Sequence, residues 1–380
     1  VDLSPVVQDV DDILLLSQLG VQTGAVLSDI LLGEAYPSGK LTTSWVRGGD
    51  FCPQAEFGEK EETHYKEGIY VGYRYYDAAH VKPLFPFGFG LGYTDFRLEP
   101  GAVTLAGEQV TVSAQVRNTG AFSGKEVVQL YLSSPWGALD QPAQALAAYG
   151  KTRELAPGES CRMELRFKMS DLASFDEARS AYVLEKGDYV LRCGNSSRKC
   201  RPMALLRLTR TVETLQARDL LGKPDFSDWK PEGPEPIPEG LPVYVLDAGS
   251  IPTKTLSDTR TPRPDPMVQT LTDEELVFLN IGGFKLKDRS GVVGDSGFAV
   301  PGTAGETTSQ LKAKGFPAII MADGPAGVRL ARDYYEDKKG AHSLSSAMLP
   351  TMIDLLPAPV RSSMRRQKKL PKGSMVKHRY

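Results

Sequence analysis

Pro317–Leu330 reads PAIIMADGPAGVRL and sets two charged groups at the end of an apolar run. The β-formers Ala318-Ile319-Ile320-Met321 stop at Asp323-Gly324-Pro325, and Arg329 follows six residues after the aspartate. An apolar run without alternation suits a strand buried on both faces, as in parallel sheets and barrels. A carboxylate just past such a strand lies where α/β folds place their binding groups. It can accept charge-assisted hydrogen bonds from two neighbouring hydroxyls. A plainer arrangement also fits: Asp323 caps the following turn and Arg329 pairs with a nearby acid. Residue chemistry leaves both open.

Other groups with chemical potential are less well placed. The histidines His64, His80, His342 and His378 are scattered, and none of Cys52, Cys161, Cys193 and Cys200 has zinc-type spacing, so neither metal nor cofactor is expected. Only Cys193 and Cys200 are close enough in sequence for a local disulfide; free thiols in a reducing cytoplasm are the expectation. The sequon Asn195-Ser196-Ser197 has meaning only in a secreted protein. Tyr70, Tyr73, Tyr75 and Tyr76 could stack on the face of a ring ligand, but core packing is the favoured reading. Trp136, in Ser134-Pro135-Trp136-Gly137, reads as a loop contact rather than a stacking platform.

The elements around these groups fall into regions. Residues 1–35 predict helix, with apolar Val10, Ile13, Leu14, Val21, Val26, Leu27, Ile30 and Leu31, broken at Gly20 and Gly33. Gly33–Lys40 is a turn, and residues 64–96 are dense in aromatics and glycine. Between 98 and 212, Val110, Val112, Ala114 and Val116 alternate with polar residues. Strand-like runs recur at Glu126–Leu132, Cys161–Phe167, Asp188–Cys193 and Met203–Leu208, separated by Asn118-Thr119-Gly120, Pro157-Gly158 and Lys186-Gly187. That spacing predicts an antiparallel β-sandwich.

Ten of the 27 prolines fall between Pro224 and Pro266, which predicts a stiff, extended connector without regular structure. Thr272 and Glu275 have capping-box spacing, so a helix starts there and ends at Gly282-Gly283. A glycine-rich loop follows to Glu306, then a short helical turn over Leu311–Lys314. Residues 361–380 hold eight Lys or Arg and no acid. They read as a disordered or mistranslated end, with a nucleic-acid patch as the alternative.

Composition bounds the rest. At 380 residues and 41% hydrophobic content the chain can hold two or three domains with real cores. A net charge of −2 argues against whole-protein attraction to nucleic acid or to anionic membranes. No segment approaches the ~18 apolar residues of a membrane helix. No signal peptide is visible, but Val1 lies inside an apolar pattern that looks like a cut. A cytoplasmic address is the default expectation.

Several stretches together resemble glycoside hydrolase family 3, the β-glucosidase and β-xylosidase family. ILLGEAYPSGKLTTSW (Ile30–Trp45) is similar to the end of that family's α/β sandwich domain. EGIYVGYRYYD (Glu67–Asp77) and PLFPFGFGLGYTDF (Pro83–Phe96) resemble the passage into its fibronectin type III-like domain, and GKEVVQLYLSSP (Gly124–Pro135) resembles a strand of that domain. LTDEELVFLNIGG, VPGTAGETTSQL and ADGPAGVRL resemble the start of its (β/α)8 barrel. Most members run barrel, α/β sandwich, fibronectin-like domain; here the order matches an inverted subset.

The resemblance implies a multidomain fold: residues 1–97 the C-terminal part of an α/β sandwich domain, 98–212 an immunoglobulin-like fibronectin type III β-sandwich, 213–266 a proline-rich linker, 267–335 the N-terminal part of a barrel, and 336–380 a divergent basic tail. It implies that Asp323 accepts from the hydroxyls of the sugar in the deepest subsite and that Arg329 lines the same pocket. The substrate would be a β-linked glucoside or oligosaccharide, cleaved by double displacement between two carboxyl groups roughly 5 Å apart. The family's nucleophile lies late in the barrel and its acid/base in the α/β sandwich domain, and neither aligns to a residue here. An incomplete, inactive β-glucosidase is therefore expected, with oligomeric state left open and residues 267–380 poorly ordered in isolation.

Ser227-Asp228-Trp229 repeats the family's nucleophile tripeptide, but no buried strand precedes it, so Asp228 is not expected to be catalytic. The rival reading is a non-catalytic carbohydrate-binding or interaction module built on the fibronectin-like domain.

Overall fold

A computed structural model describes residues 2–17, 19–52, 60–220, 222–233, 236–256, 263–282, 300, 303, 305–322, 330, 333–337, 340–343, 375 and 377–378. The chain divides into two compact units, one of Val1–Ile13 with Leu32–Asp258, the other of Leu14–Leu31 with Thr259–Tyr380.

The first unit is built on the alternation of its strands. β1 (Phe96–Ala106), β2 (Gln109–Asn118) and β5 (Ser160–Lys168) form one antiparallel sheet. Val110, Val112, Ala114 and Val116 of β2 all point inward and are fully buried. The facing sheet orders β11 (Val243–Leu246), β9 (Cys200–Leu208), β8 (Gly187–Gly194), β3 (Val127–Ser133) and β4 (Ala145–Lys151). Val128, Leu130, Leu132, Leu191 and Leu206 from this sheet pack with the β2 and β5 side chains in one core. Each such fully buried side chain contributes ~1.5–3 kcal/mol. A smaller sheet joins β6 (Ser174–Asp176), β7 (Ala181–Leu184), β10 (Val212–Gln216) and β12 (Lys254–Thr255). The expected β-sandwich is present.

Two of its strands had no legible signal. β1 carries Pro100-Gly101 in its middle, and its register with β2 shifts between Pro100 and Val103. It is an edge strand, the place where a proline costs no ladder bond. β11 lies inside the stretch expected to be a bare linker. Residues 243–246 pair parallel with β9, and Leu246, Ala248 and Ile251 join the sandwich core. The linker 213–266 is thus corrected: apolar Val243–Leu246 outcompetes the neighbouring prolines because an open sheet edge is available to it.

β3 is buried at all seven positions. Val128, Leu130 and Leu132 face the core, whereas Gln129 and Tyr131 face residues 73–88. There α2 (Tyr73–Ala78) and the Pro83–Tyr93 passage cover the outer side of the sheet. A strand with both faces covered has no reason to alternate.

The expectation of helix across residues 1–35 is corrected. Only α1 (Thr23–Leu31) is α-helical, preceded by a single turn at Gly20–Gln22. Val10, Ile13 and Leu14 are each more than 40% exposed, so their periodicity finds no face to pack on. Gly20 and Gly33 do break the chain, with φ of 71° and 76°.

In the second unit, α3 (Asp273–Ile281) starts at the expected capping box. Glu275 N–H donates to Thr272 Oγ1 at 3.3 Å and Thr272 N–H donates to Glu275 Oε2 at 2.8 Å. Gly282, at φ 87°, ends it. The expected turn is a 3-10 segment, Ser309–Lys314, closed by Gly315 in the left-handed region. β13 (Gly305–Glu306) pairs antiparallel with β14 (Ile320–Met321). Within the stretch read as tail, β15 (Asp333–Asp337) pairs with β16 (Gly340–Ser343) and with β17 (Lys377–His378). At the described positions, residues 336–380, expected to be a divergent basic tail, thus take part in strand pairing.

Candidate functional site

Asp323 and Arg329 lie outside the described residues; the structure gives the approach to them. Thr307 N–H donates to Ile319 O at 3.1 Å, and Ile319 N–H donates to Thr307 Oγ1 at 2.9 Å, tying residues 305–307 to 319–321. Glu306 is buried and accepts from Val300 N–H at 3.0 Å and from Ser309 Oγ. Lys314 Nζ pairs with Glu275 at 2.6 Å and holds that carboxyl below the usual carboxylate range. The expected burial of the strand on both faces is not what this segment shows. Ile319 is 66% exposed and Met321 48%, and the only partner among the described residues is antiparallel. Two residues of ladder present too few neighbours to cover either face, and no parallel barrel strand is formed at these positions.

The better-built polar chemistry of the chain is elsewhere, where residues 36–90 lie on the outer face of β3. Lys40 Nζ meets Glu126 Oε1 at 2.7 Å, with both side chains nearly buried, and Asn195 Nδ2 donates to Glu126 Oε2 at 3.0 Å. Arg198 Nε meets Asp77 Oδ1 at 2.8 Å, while Gln144 Nε2 donates to Asp77 Oδ2 at 2.9 Å. Gln129 Nε2 donates to Gly88 O and Asn195 O, at 3.1 and 2.8 Å. Gly88 has φ 78°, and a Cβ there would collide with the Gln129 amide. Buried charges persist only when paired and hydrogen-bonded, and here every one is. Sequence reasoning missed this network. Its one visible sign was Glu126, a carboxylate at the head of an apolar strand.

The tyrosines resolve in favour of packing. Tyr70 and Tyr76 are buried, and Tyr73 stacks on Phe87 with ring centroids 4.7 Å apart. Burial, aided by Asp140, pushes the Tyr70 hydroxyl up to about 12. The sequon is folded into the same joint: Asn195 is held by Glu126, and Ser196 and Ser197 are buried. Cys193 and Cys200 are free thiols on adjacent strands, pushed by burial to about 12 and about 11. Such thiols stay protonated and unreactive at neutral pH.

Asp228 stands exposed on a loop. Its neighbour Trp229 docks edge-on against Tyr70 and Tyr75, at 5.0 and 5.1 Å, and its backbone N–H donates to Lys66 O at 2.6 Å. The tripeptide Ser227-Asp228-Trp229 is a strap on an aromatic patch, with no strand to hold a nucleophile.

These two layers correspond to two known domains. Residues 1–93 match the model of the glycosyl hydrolase family 3 C-terminal domain, and residues 126–197 match the fibronectin type III-like domain. The chain belongs to glycoside hydrolase family 3 over these two domains. A β-glucosidase of Ruminococcus albus is 31% identical over 349 residues, 84% of this chain and 36% of its own length. Beta-glucosidase A of Butyrivibrio fibrisolvens is 38% identical over 216 residues, 50% of this chain and 26% of its own length. The chain thus spans about a third or less of these curated relatives. Among solved structures, a β-glucosidase from Paenibacillus barengoltzii superposes with a TM-score of 0.62 at 33% identity, covering 81% of this chain and 37% of its own. β-glucosidase 3B from Thermotoga neapolitana, in complex with α-D-glucose, gives a TM-score of 0.53 at 39% identity, covering 56% of this chain and 30% of its own. In this family 3 chain the interlocks from Lys40 to Glu126 and from Asp77 to Arg198 join the C-terminal domain to the fibronectin-like one. Among the described residues no group of three or more metal-ligating side chains converges, and no helix is long and apolar enough to cross a membrane.

Proposed function

We propose that this chain is part of a β-glucosidase-type glycoside hydrolase acting on β-linked glucosides or oligosaccharides by a retaining mechanism. The observation that carries the reading is the 349-residue similarity to the Ruminococcus albus β-glucosidase. It runs through the C-terminal and fibronectin-like domains and on past the proline-rich stretch. On this reading residues 267–335 open the (β/α)8 barrel in the inverted domain order. Asp323 accepts from two hydroxyls of the terminal sugar, and Arg329 lines the same pocket. Charge-assisted bonds of this kind discriminate strongly, because a carboxylate left unpaired in a closed pocket keeps its full desolvation penalty.

Neither carboxyl of the double displacement has a counterpart in these 380 residues, so the chain by itself turns over no substrate. A chimera tests the proposal. Residues 1–335 placed in the Ruminococcus albus enzyme, in exchange for the matching segment, restore hydrolysis of an aryl β-glucoside, and Asp323→Ala lowers kcat/KM in that chimera by about 10²–10³. Turnover by the isolated chain, abolished by Asp323→Ala, would contradict the assignment of both catalytic carboxyls to other residues.

A further inference from the structure

A cleft of about 190 Å³ opens on the fibronectin-like domain, lined by Trp136, Gln141, Asp188, Arg192, Pro236 and Ile237 among others. We propose that this cleft is a second carbohydrate subsite, taking one β-D-glucopyranosyl ring with Trp136 as its platform. The proposal stands apart from the reading of Asp323, and its failure would leave that reading untouched.

Three observations carry it. The first is the state of the indole. Trp45 packs edge-on against Phe85, and Trp229 against Tyr70 and Tyr75. Trp136 alone of the three tryptophans is more than half exposed, at 52%. Its indole therefore presents an open aromatic face to the cleft, of the kind that can stack on the C–H face of a sugar ring.

The second is that the loop carrying it is fixed in advance. The Glu185 carboxylate accepts from Ala138 N–H at 2.7 Å and from Leu139 N–H at 3.2 Å. Gly137 passes so close to Glu185 that a Cβ would collide with the carboxylate. A platform held in this way loses little freedom on binding.

The third is the division of the lining. Trp136, Pro135 and Ile237 are apolar, while Gln141, Asp188 and Arg192 bring acceptors and donors. Asp188 accepts two bonds from Arg207, at 2.7 and 2.8 Å, and Arg192 Nε donates to Ser133 Oγ at 3.2 Å. Both side chains are therefore oriented and retain hydrogen-bonding capacity. A pyranose ring has a C–H face to stack and a rim of hydroxyls to meet such groups. The volume lies below the ~300 Å³ at which pockets begin to enclose drug-sized ligands, so one ring fits and a chain does not. The proline-rich strap closes one side through Pro231, Pro236 and Ile237, and Lys230 anchors it to Asp140 at 3.2 Å.

Ligand-observed NMR on the 380-residue chain, with methyl β-D-glucopyranoside and cellobiose as probes, tests the proposal. Saturable binding with a Kd on the order of millimolar is expected, weakened at least ~10-fold in Trp136→Ala and kept within ~3-fold in Trp136→Phe. Trp136→Ala keeps its melting temperature, since an exposed side chain contributes little to stability. Absence of saturation, or binding unaffected by Trp136→Ala, would overturn it.

Discussion

β3 and β14 begin from similar apolar sequence and end in opposite environments. VVQLYLS is buried at every position, gripped by the sandwich core on one side and by α2 and the Pro83–Tyr93 passage on the other. AIIM contributes two residues to a two-stranded ladder, with Ile319 and Met321 facing water. An apolar run states what a segment can bury, and the partners brought by the rest of the fold decide what it does bury. The fibronectin-like domain has those partners within its own unit.

The sharpest way to break this contrast is a matched pair of truncations. Leu130→Ala removes a fully buried core side chain and should cost ~2–5 kcal/mol, read by urea denaturation. Ile319→Ala should stay within ~0.5 kcal/mol. A comparable loss at both positions would mean that residue 319 is covered after all.

The next effect concerns how β3 gains its second cover. Lys40→Met strips the nearly buried Glu126 of its cationic partner and should cost ~3 kcal/mol, in the range for breaking a buried pair. Adding Glu126→Gln should recover part of that loss, because the stranded charge is then gone. A double-mutant cycle that shows no coupling would detach the C-terminal domain's passage from the stability of β3.

The smallest effect sharpens the contrast at the surface of the same sheet. Bonds from Arg207 hold the Asp188 carboxyl below its ordinary value. A depressed carboxyl stabilises the fold above the unfolded value of about 4, and that contribution disappears as pH falls through the folded value. With Arg207 half exposed, it amounts to ~0.5 kcal/mol. In Arg207→Gln the acid-induced loss of stability between about pH 4 and 2 should be smaller by that amount. Identical acid limbs in the two proteins would show that the ion pair is idle.

The sandwich was legible because its strands obey one-sided rules. β2 alternates, the turn residues fall between strands, and the capping box of α3 is a purely local signature that needs no tertiary partner. β1 and β11 were not legible, since an edge proline and a four-residue run signal nothing until a neighbouring strand offers its ladder. The candidate sugar-binding pair is a further case. Asp323 and Arg329 stand out by type and spacing, yet the described approach to them shows a short antiparallel pairing in place of the buried parallel strand. Trp136 is another case: the loop that carries it is held by Glu185, 49 positions along the chain, and nothing in its local sequence shows that.

By itself the sequence determined the family, the β-sandwich and the helix start at Thr272. All of these rest on local pattern, spacing or resemblance. Only the tertiary structure decided which apolar runs are covered, which charges are buried in pairs and which tryptophan is left facing a cleft. Burial and pairing are properties of neighbours, and neighbours such as Lys40 and Glu126 meet only when the chain has folded.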